Sequence, residues 1–381
     1  LSYEMPVHRE MAALRERYIS DSGGKSVNST ASLHVLRINE LTSAELCTLD
    51  MLARVRLTAD GRPFTHHVQE WIELHEYALS QRTRTSTSVV PLIGHSKGDV
   101  STPIGSFDTS LNEFKFNVSA QRRPSKPWVN VMANPSFGAI LSESGGGYTW
   151  AGNSRLNQLT TWSNDPVTDS PAEWFLLQDL KTQEIWSVFP SAYGGGGGSN
   201  LVTYSVSHSQ GYSEISHQRG DLNIKATWCV DAQTSVKQVN IRIVNDSNRT
   251  IRLRLVGIAE WKMGANRTDR GTTKTSKFQQ GLPDLNAANT DAKNATEQKI
   301  TALLCTQRDH SAGFGDGTAF LALVSEKNDV DDWTCDRREC FDTRGRMVLP
   351  YHFGQSSGRA LDPCAALSTP IEIKASASAD R

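Results

Sequence analysis

Hydrophobic residues recur with a helical spacing near the amino terminus and with a strand spacing over most of the remaining chain. The earliest regular segment is 6–18, where Pro6 stands at the start and the apolar residues are three or four positions apart. That spacing places them on one face of an α-helix. The residues on this face are Val7, Met11, Leu14 and Tyr18.

Two more helices are predicted before residue 80. Thr42 and Glu45 form a T-x-x-E capping pattern ahead of the second helix, which we expect to stop near residue 60. A third helix follows from residue 63 and carries His66 and His67. Adjacent helical side chains point about 100° apart, so this pair is not expected to bind one metal ion.

After about residue 111 apolar and polar residues alternate, which indicates antiparallel strands with one buried and one wet face. The alternating segments include 114–118, 202–206, 222–230 and 251–261. The fold class is therefore mainly β, a large antiparallel β-sandwich preceded by a short α-helical segment. The predicted organisation is a helical linker segment at 1–80, a loop or linker at 81–110, and a sandwich domain at 111–381.

Two polar segments interrupt the predicted strands. The glycine tract at 194–198 is expected to be a turn, because glycine adopts positive φ without steric cost. The segment 264–298 holds almost no large apolar residues and is not expected to form core by itself. We interpret it as an excursion from the sandwich with one short ordered patch near Phe278 or Leu282.

The charge balance disfavours a nucleic-acid partner. Forty Lys and Arg residues face 41 Asp and Glu residues, a formal net charge of −1 over 381 residues. No surplus of positive charge is available to attract a phosphate backbone. Hydrophobic residues make up 38% of the chain, the mean hydropathy is −0.44, and no apolar run reaches the roughly 18–20 residues that a membrane-spanning helix needs.

The cysteines are interpreted as reduced and structural. They show no C-x-x-C spacing of a zinc or redox site, and two of them lie in apolar, strand-like runs where a small buried thiol is common. A bridge between Cys335 and Cys340 in an oxidising compartment is the alternative. The six positions are Cys47, Cys229, Cys305, Cys335, Cys340 and Cys364.

The densest group of candidate binding residues lies in 134–175, which combines three Trp, a Tyr, an Arg and several Asn with a triple glycine. Flat aromatic rings beside amide and guanidinium donors suit a sugar, because the rings stack on C–H faces while hydroxyls take hydrogen bonds. On composition alone, a structural interpretation ranks first: the Trp side chains pack into the sandwich and the Asn side chains close turns.

Several common catalytic and nucleotide-binding motifs are absent from the sequence. The glycines at 145–147 are not followed by the Lys-Ser/Thr of a phosphate-binding loop, and no G-x-S-x-G, H-E-x-x-H or dinucleotide motif is present. The carboxylate pair Asp331 and Asp332 stands in a polar stretch that is typical of an ion-paired surface loop.

Five ordered blocks of sequence resemble the amino-terminal β-sandwich of the glycoside hydrolase family 94 phosphorylases, in the version attached to cyclic β-1,2-glucan synthases. The first block is WVNVMANPSFGAILSESGGGYTWAGNSRLNQLTTWSNDPVTDSPAEWFLLQDLKTQEIWS at 128–187. The others are HSQGYSEISH, NIRIVNDSNRTIRLRLVGIAEW, TCDRRECFDTRGRM and SGRALDPCAALSTPIEI, which end at residue 373. The resemblance implies a galactose-mutarotase-like super-β-sandwich.

The resemblance also implies which residues face substrate. In these phosphorylases the loops that correspond to 148–169 border the sugar cleft. The positions expected nearest to glucan are Trp150, Asn153, Arg155, Gln158, Trp162 and Asp165. Departures from the family pattern at 194–198, 264–298 and 341–343 leave the subsite contacts open.

The catalytic machinery is expected outside this chain. By the resemblance, the sandwich packs on an (α/α)6 barrel that follows Arg381 and holds the general acid Asp, with inorganic phosphate as nucleophile or product. The chain itself is then expected to hold no catalytic residue, no metal and no cofactor, and to be a piece of a longer protein. In the membrane-bound synthases this module trims β-1,2-glucan, which implies a place on the cytoplasmic side of an inner membrane.

Three interpretations remain open from sequence. The chain is a non-catalytic scaffold that lends cleft loops to the barrel, a free-standing carbohydrate-binding module, or a fragment of a soluble β-1,2-oligoglucan phosphorylase. Expected partners are β-1,2-glucan or another glucoside and the barrel of the same polypeptide. Whether the chain forms a homodimer is left open.

Overall fold

The computed structural model describes residues 9–10, 13, 16, 36, 38–53, 57, 60–84, 87–89, 101–119, 121–162, 164–165, 169, 171–190, 202–282, 298–309, 317–324, 332–342 and 347–381. The chain divides into two compact units, Leu1–Arg56 and Leu57–Arg381. The glycine tract predicted to be a turn at 194–198 lies outside the described residues.

The amino-terminal unit contains helix α1 (Ser43–Leu52) and a 3₁₀ helix at Ile38–Glu40. The predicted capping box is confirmed: the Glu45 carboxylate accepts from the Thr42 N–H at 2.8 Å, and Thr42 Oγ1 accepts from the Glu45 N–H at 3.3 Å. The prediction that this helix continues to about residue 60 was wrong. The Ala53 N–H makes the last helical hydrogen bond, to the Leu49 carbonyl, but the Ala53 backbone is extended, which ends the helix at Leu52.

The second unit begins with helix α2 (Phe64–Arg84). The imidazoles of His66 and His67 have different partners: His66 lies 2.9 Å from an Arg62 nitrogen, and His67 lies 3.3 Å from Asp60. Between residues 81 and 110 the structure places the end of this helix and strands β1 (Thr87–Val89) and β2 (Ser106–Asp108). The domain boundaries at 80 and 110 stay predictions.

Twenty-one strands, numbered in chain order, form four antiparallel sheets within the described residues, which confirms the predicted fold class. One sheet has seven strands in the spatial order β2, β3 (Glu113–Val118), β10 (Tyr204–Ser209), β11 (Tyr212–Arg219), β12 (Leu222–Val230), β13 (Lys237–Asn245) and β21 (Ala377–Asp380). A small second sheet joins β1 to β19 (Val348–Pro350), and a three-stranded sheet has the order β15 (Thr273–Leu282), β16 (Gln298–Gln307) and β17 (Thr318–Val324).

The largest sheet has nine strands. Its main path runs β18 (Asp332–Asp336), β20 (Pro363–Ile373), β14 (Ile251–Gly264), β7 (Gln158–Thr160), β6 (Gly147–Ala151), β5 (Phe137–Ser142) and β4 (Val129–Ala133). Strand β8 (Glu173–Asp179) pairs with β14 and with β9 (Ile185–Ser187). Two further 3₁₀ helices lie at Arg267–Thr272 and Arg337–Glu339.

The main core lies between the seven- and nine-stranded sheets. Strand β12 alternates buried and exposed positions as its sequence predicts, so that Ile224 and Trp228 face inward. They pack with Leu177, Leu253 and residues of the neighbouring strands. Burial of this apolar surface is the main force that holds the two sheets together.

Strand β14 differs from the prediction of one buried and one wet face. Val256 and Ile258, on its second face, are also buried, because Leu349 and Phe353 from a later segment pack over them. Arg254 is buried on the same face and donates to Asp332 at 2.6 Å and to the Pro350 carbonyl at 2.7 Å. The strand therefore carries buried residues on both faces.

The polar segment 264–298 is more ordered than predicted over its first half. Residues 273–282 form strand β15, which pairs with β16 along its full length. Strand β16 and its other neighbour β17 supply the apolar residues, among them the buried Leu303 and Cys305. Pairing with an apolar strand thus overrides the polar composition. An ordered patch lies at Phe278 and Leu282 as predicted, but it is longer than predicted. Residues 283–297 lie outside the described residues.

The thiols are free. All six cysteines are unbridged, including Cys335 and Cys340, which are both fully buried. Burial raises the pKa of Cys305 and of Cys335 to about 12, because a thiolate is poorly solvated in an apolar core. These thiols therefore pack as small apolar side chains.

Candidate functional site

Three aromatic side chains meet on the outer face of the nine-stranded sheet, and we call Tyr148, Trp150 and Trp162 the aromatic cluster. Residues two apart on a strand share a face, which places Tyr148 and Trp150 side by side, with ring centroids 5.3 Å apart. The Trp162 ring stacks on Tyr148 at 4.8 Å with an interplanar angle of 20°. The cluster is assembled entirely within this chain.

Gly138 makes room for the cluster. It lies directly across from Trp150 on strand β5. A Cβ added at Gly138 would lie 2.8 Å from Trp150 Cε2 and 2.8 Å from the Ala133 Cβ. Any larger residue would therefore push the indole off the sheet.

Amide and ammonium groups lie beside the aromatic cluster. Gln158 is the cross-strand neighbour of Trp150, and its Oε1 accepts a hydrogen bond from Lys262 Nζ at 2.6 Å. Partial burial lowers the pKa of the Lys262 ammonium, since a desolvated cation is less stable than its neutral form. The pair provides donors at the edge of the stacked rings.

The turn between β6 and β7 carries two more of the predicted residues. Asn153 Oδ1 accepts from the N–H groups of Arg155 and Leu156, each at 2.9 Å. The Tyr148 hydroxyl donates to the Ser154 carbonyl at 3.1 Å and ties this turn to the aromatic cluster. The Asn153 side chain therefore closes a turn, as in the structural interpretation, while Arg155 is exposed beside it.

Asp165 is half-buried, and its carbonyl accepts from the Asp169 N–H at 2.9 Å. The Asp169 carboxylate in turn accepts from the hydroxyls of Ser142 and Ser144 in the β5–β6 turn. These contacts hold the residues after Trp162 against the sheet.

The structure thus collects the six predicted residues in one area, strands β6 and β7 and the residues that follow them. Trp150, Gln158 and Trp162 are linked directly or through Tyr148. Sequence reasoning did not select Tyr148 or Lys262. The two-residue spacing from Trp150 could have revealed Tyr148, whereas Lys262 comes from a strand about 100 residues later in a paired register that sequence spacing does not encode.

The inner face of the same sheet carries a different feature, a groove of about 270 Å³. Thr149, between Tyr148 and Trp150, points into this groove and donates to Glu173 Oε1 at 2.6 Å. Lys237, from the seven-stranded sheet, forms an ion pair with Glu173. Lys237 and these hydrogen bonds lower the pKa of the Glu173 carboxyl against the opposing effect of burial.

A buried carboxyl lies in the β5–β6 turn. Glu143 is 6% exposed and accepts from the Trp128 N–H at 2.8 Å. Burial raises its pKa to about 7, with a further contribution from the nearby Asp169 carboxylate. His208, which lies 3.1 Å from the Trp128 carbonyl, is also buried, and burial lowers its pKa.

Among the described residues, no three His, Cys, Asp or Glu side chains come together in a way that could hold a metal ion. Asp332, the described member of the Asp331–Asp332 pair, is bound to Arg254 and accepts from the Phe353 N–H at 2.6 Å. Within the part of the chain that the structure describes, no helix is both long and apolar enough to cross a membrane.

Comparison with known proteins gives one family and one curated relative. The sequence model of the glycosyl hydrolase 94 supersandwich domain matches residues 112–380. Cyclic beta-(1,2)-glucan synthase NdvB of Rhizobium meliloti (strain 1021) is 27% identical over 279 residues, which make up 71% of this chain and 9% of that protein. The chain therefore matches only a small part of its relative's length.

Two solved structures overlap with this chain at low similarity. A candidate aldose 1-epimerase from Escherichia coli K12 has 9% identity and a TM-score of 0.29, with 64% of this chain and 99% of that chain covered. A polysaccharide lyase has 11% identity and a TM-score of 0.34, with 67% and 31% covered. Overlap this loose supports no conclusion about ligand or activity. The family match over most of the chain, together with the paired sheets, shows that the chain belongs to the glycosyl hydrolase 94 supersandwich domain family.

Proposed function

We propose that this chain is the non-catalytic β-sandwich part of a glycosyltransferase or phosphorylase that acts on β-1,2-glucan. Its outer face at β4–β7 would form one wall of a sugar cleft, and an (α/α)6 barrel of the same polypeptide would complete the cleft and supply the catalytic acid. The observation that carries the proposal is the aromatic cluster, with Gln158 and Lys262 beside it.

The chemistry of this face suits a glucan. Stacked aromatic rings offer flat apolar surfaces to the C–H faces of glucosyl units. The Lys262 ammonium and the exposed Arg155 guanidinium are donors that sugar hydroxyls can accept from. Such a mixture of a few polar groups with aromatic walls is typical of small-molecule and sugar sites.

The protein surface next to the aromatic cluster is apolar, which supports a contact with another domain. On the edge strand β4, Val129 and Val131 are 52% and 56% exposed. Val131 lies across from Ile140, which lies across from Tyr148, so the apolar surface continues into the cluster. Contiguous exposed apolar surface of this kind marks an interaction surface.

The remaining parts of the proposal follow from the family. Inorganic phosphate would be a reagent of the parent module rather than a cofactor of this chain. The parent would work on the cytoplasmic side of an inner membrane, with the sandwich as an extramembrane domain. Similarity to the cyclic beta-(1,2)-glucan synthase supports this choice of parent.

The test is phosphorolysis of a β-1,2-gluco-oligosaccharide, in which a glycosidic C1–O bond is replaced by a C1–O bond to phosphate and the leaving hydroxyl takes a proton. We expect no glucose 1-phosphate from residues 1–381 alone and release of it when the downstream sequence is present. Trp162→Ala should then raise KM, while Tyr351→Ala, at an exposed aromatic residue elsewhere, should not. Phosphorolysis by residues 1–381 alone would overturn the proposal.

A free-standing carbohydrate-binding module is the second candidate, and the preassembled aromatic cluster favours it. Calorimetry of the chain with linear and cyclic β-1,2-glucan separates the two, since a self-sufficient binding face releases heat without the barrel. Heat equal to that of dilution would remove the second candidate and leave the first unaffected.

A further inference from the structure

The groove on the inner face of the nine-stranded sheet is separate from the outer face that carries the aromatic cluster. Its floor is formed by β14, where Gly257 and Ala259 leave room above the sheet, and its walls include Phe175 and Trp261. Lys237 and other residues of β13 close it from the seven-stranded sheet. At about 270 Å³ it is close to the lower end of the range for ligand pockets.

An ion pair lies at one end of these apolar walls. The side chains of Glu173 and Lys237 are 16% and 14% exposed. Thr149 donates to Glu173, and Lys237 Nζ donates to Thr149 Oγ1 at 2.6 Å. Thr160 donates to the same carboxylate at 3.2 Å. A buried ion pair is often no more stabilising than apolar residues of the same volume, so its presence in a cavity favours a binding role over a structural one.

The hydrogen-bonding capacity of the pair is not used up by the described residues. An ammonium has three donors and a carboxylate has about four acceptor positions. Lys237 uses two donors, on Glu173 and Thr149. Glu173 uses three positions, on Thr149, Thr160 and Lys237. One donor of Lys237 and one acceptor position of Glu173 are therefore left over on the pair.

This arrangement selects the chemistry of a ligand. A hydroxyl group both donates and accepts, so two neighbouring hydroxyls on one ring match the remaining donor and acceptor. The pair is neutral overall, which disfavours a charged ligand at this end, although the half-buried Arg381 also lines the groove. A wholly apolar ligand would leave these positions unpaired in a desolvated site.

We propose that the groove between β8, β13, β14 and β17 is a second binding site, which takes a single neutral pyranose ring. The ring's apolar face lies on Trp261 and Phe175, and two adjacent hydroxyls bond to Glu173 and Lys237. The proposal does not depend on the function proposed for the outer face, because the two sites lie on opposite faces of the sheet.

Gly257 offers a variant that fills the groove without touching the ion pair. A Cβ at this position would lie 3.6 Å from Phe175 Cε1, an ordinary van der Waals distance. Gly257→Val therefore adds apolar volume on the floor of the groove, with its Cβ at van der Waals distance from Phe175. Glu173→Gln removes the charge at nearly constant shape. Tyr351→Ala, at an exposed aromatic residue outside the groove, is the control, and Trp162→Ala reports binding at the outer face.

The measurement is calorimetry of the chain with D-glucose and with β-1,2-linked glucobiose, together with thermal unfolding of each variant. We expect binding that Gly257→Val and Glu173→Gln each weaken at least tenfold and that Tyr351→Ala leaves unchanged. Absence of binding, binding that Gly257→Val leaves intact, or binding lost only in Trp162→Ala would overturn the proposal. Tighter binding of glucose 1-phosphate than of glucose would overturn the preference for a neutral ring. If Glu173→Gln unfolds, Gly257→Val decides alone.

Discussion

Glu143 should make the stability of the fold depend on pH in the neutral range. Its pKa is raised from the ordinary glutamate value of 4.5 to about 7, chiefly because the carboxylate is desolvated in the β5–β6 turn. The folded state therefore holds the proton more tightly than the unfolded state. The resulting stability is fully present below about pH 4.5 and is lost as the pH rises towards 7.

The size of the effect follows from the shift. Each pKa unit corresponds to about 1.4 kcal/mol, so the loss between pH 4.5 and pH 7 is at most about 3 kcal/mol. Glu143→Gln removes the titrating group and keeps an oxygen that can accept from the Trp128 N–H. The free energy of unfolding of Glu143→Gln should increase relative to that of the wild type as the pH rises from 4.5 to 7. The difference between the two proteins should become constant above about pH 8.

Urea unfolding between pH 4.5 and 8.5 measures this difference directly. Asp169→Asn is a useful second variant, because it removes the neighbouring negative charge that adds to the shift. It should move the midpoint of the Glu143 titration to lower pH. Arg123, which acts in the opposite direction on Glu143, stays in place in both proteins. Stability curves for wild type and Glu143→Gln that run parallel across this range would refute the reasoning.

Three further variants test other parts of the structure. His217 is 6% exposed, neither ring nitrogen has a hydrogen-bond partner within the described residues, and burial lowers its pKa to about 3. The free energy of unfolding of His217→Leu should exceed that of the wild type by about 1 kcal/mol at pH 7, and urea unfolding should show this difference growing as pH falls from 6.5 towards 3. Gly138→Ala should displace Trp150 and lower the free energy of unfolding by about 1–3 kcal/mol. An unchanged near-ultraviolet circular dichroism spectrum would contradict the displacement of Trp150. Trp228→Ala, at a core residue 2% exposed, should cost about 3–5 kcal/mol, and a shift of the urea midpoint worth under 1 kcal/mol would count against the assigned core.

Strands with clear alternation could be predicted from sequence because each carries its own pattern of burial. Strand β12 is the best case, since its inward and outward positions match apolar and polar residues nearly throughout. The capping box at Thr42 was equally local. Strand β15 could not be predicted this way, because its burial comes from pairing with β16 rather than from its own residues.

The candidate sites also differ in how far the sequence alone can predict them. The aromatic cluster lies within 15 residues of sequence, so composition and family pattern together locate it. The inner groove draws its polar end from Glu173 and Lys237, on different sheets. Nothing local in the sequence of either residue indicates the other, and only the packing of the two sheets brings them together.

Strand β14 sets the order in which this protein can fold during synthesis. It pairs with β7 and β8, which are made earlier, and with β20, which the ribosome reaches roughly 100 residues later. At 5–20 residues per second, the nascent chain leaves the N–H and C=O groups along one edge of β14 unpaired for roughly 5–20 s. During this interval the half-built sheet is a target for chaperones and for pairing with the same strand on a neighbouring ribosome.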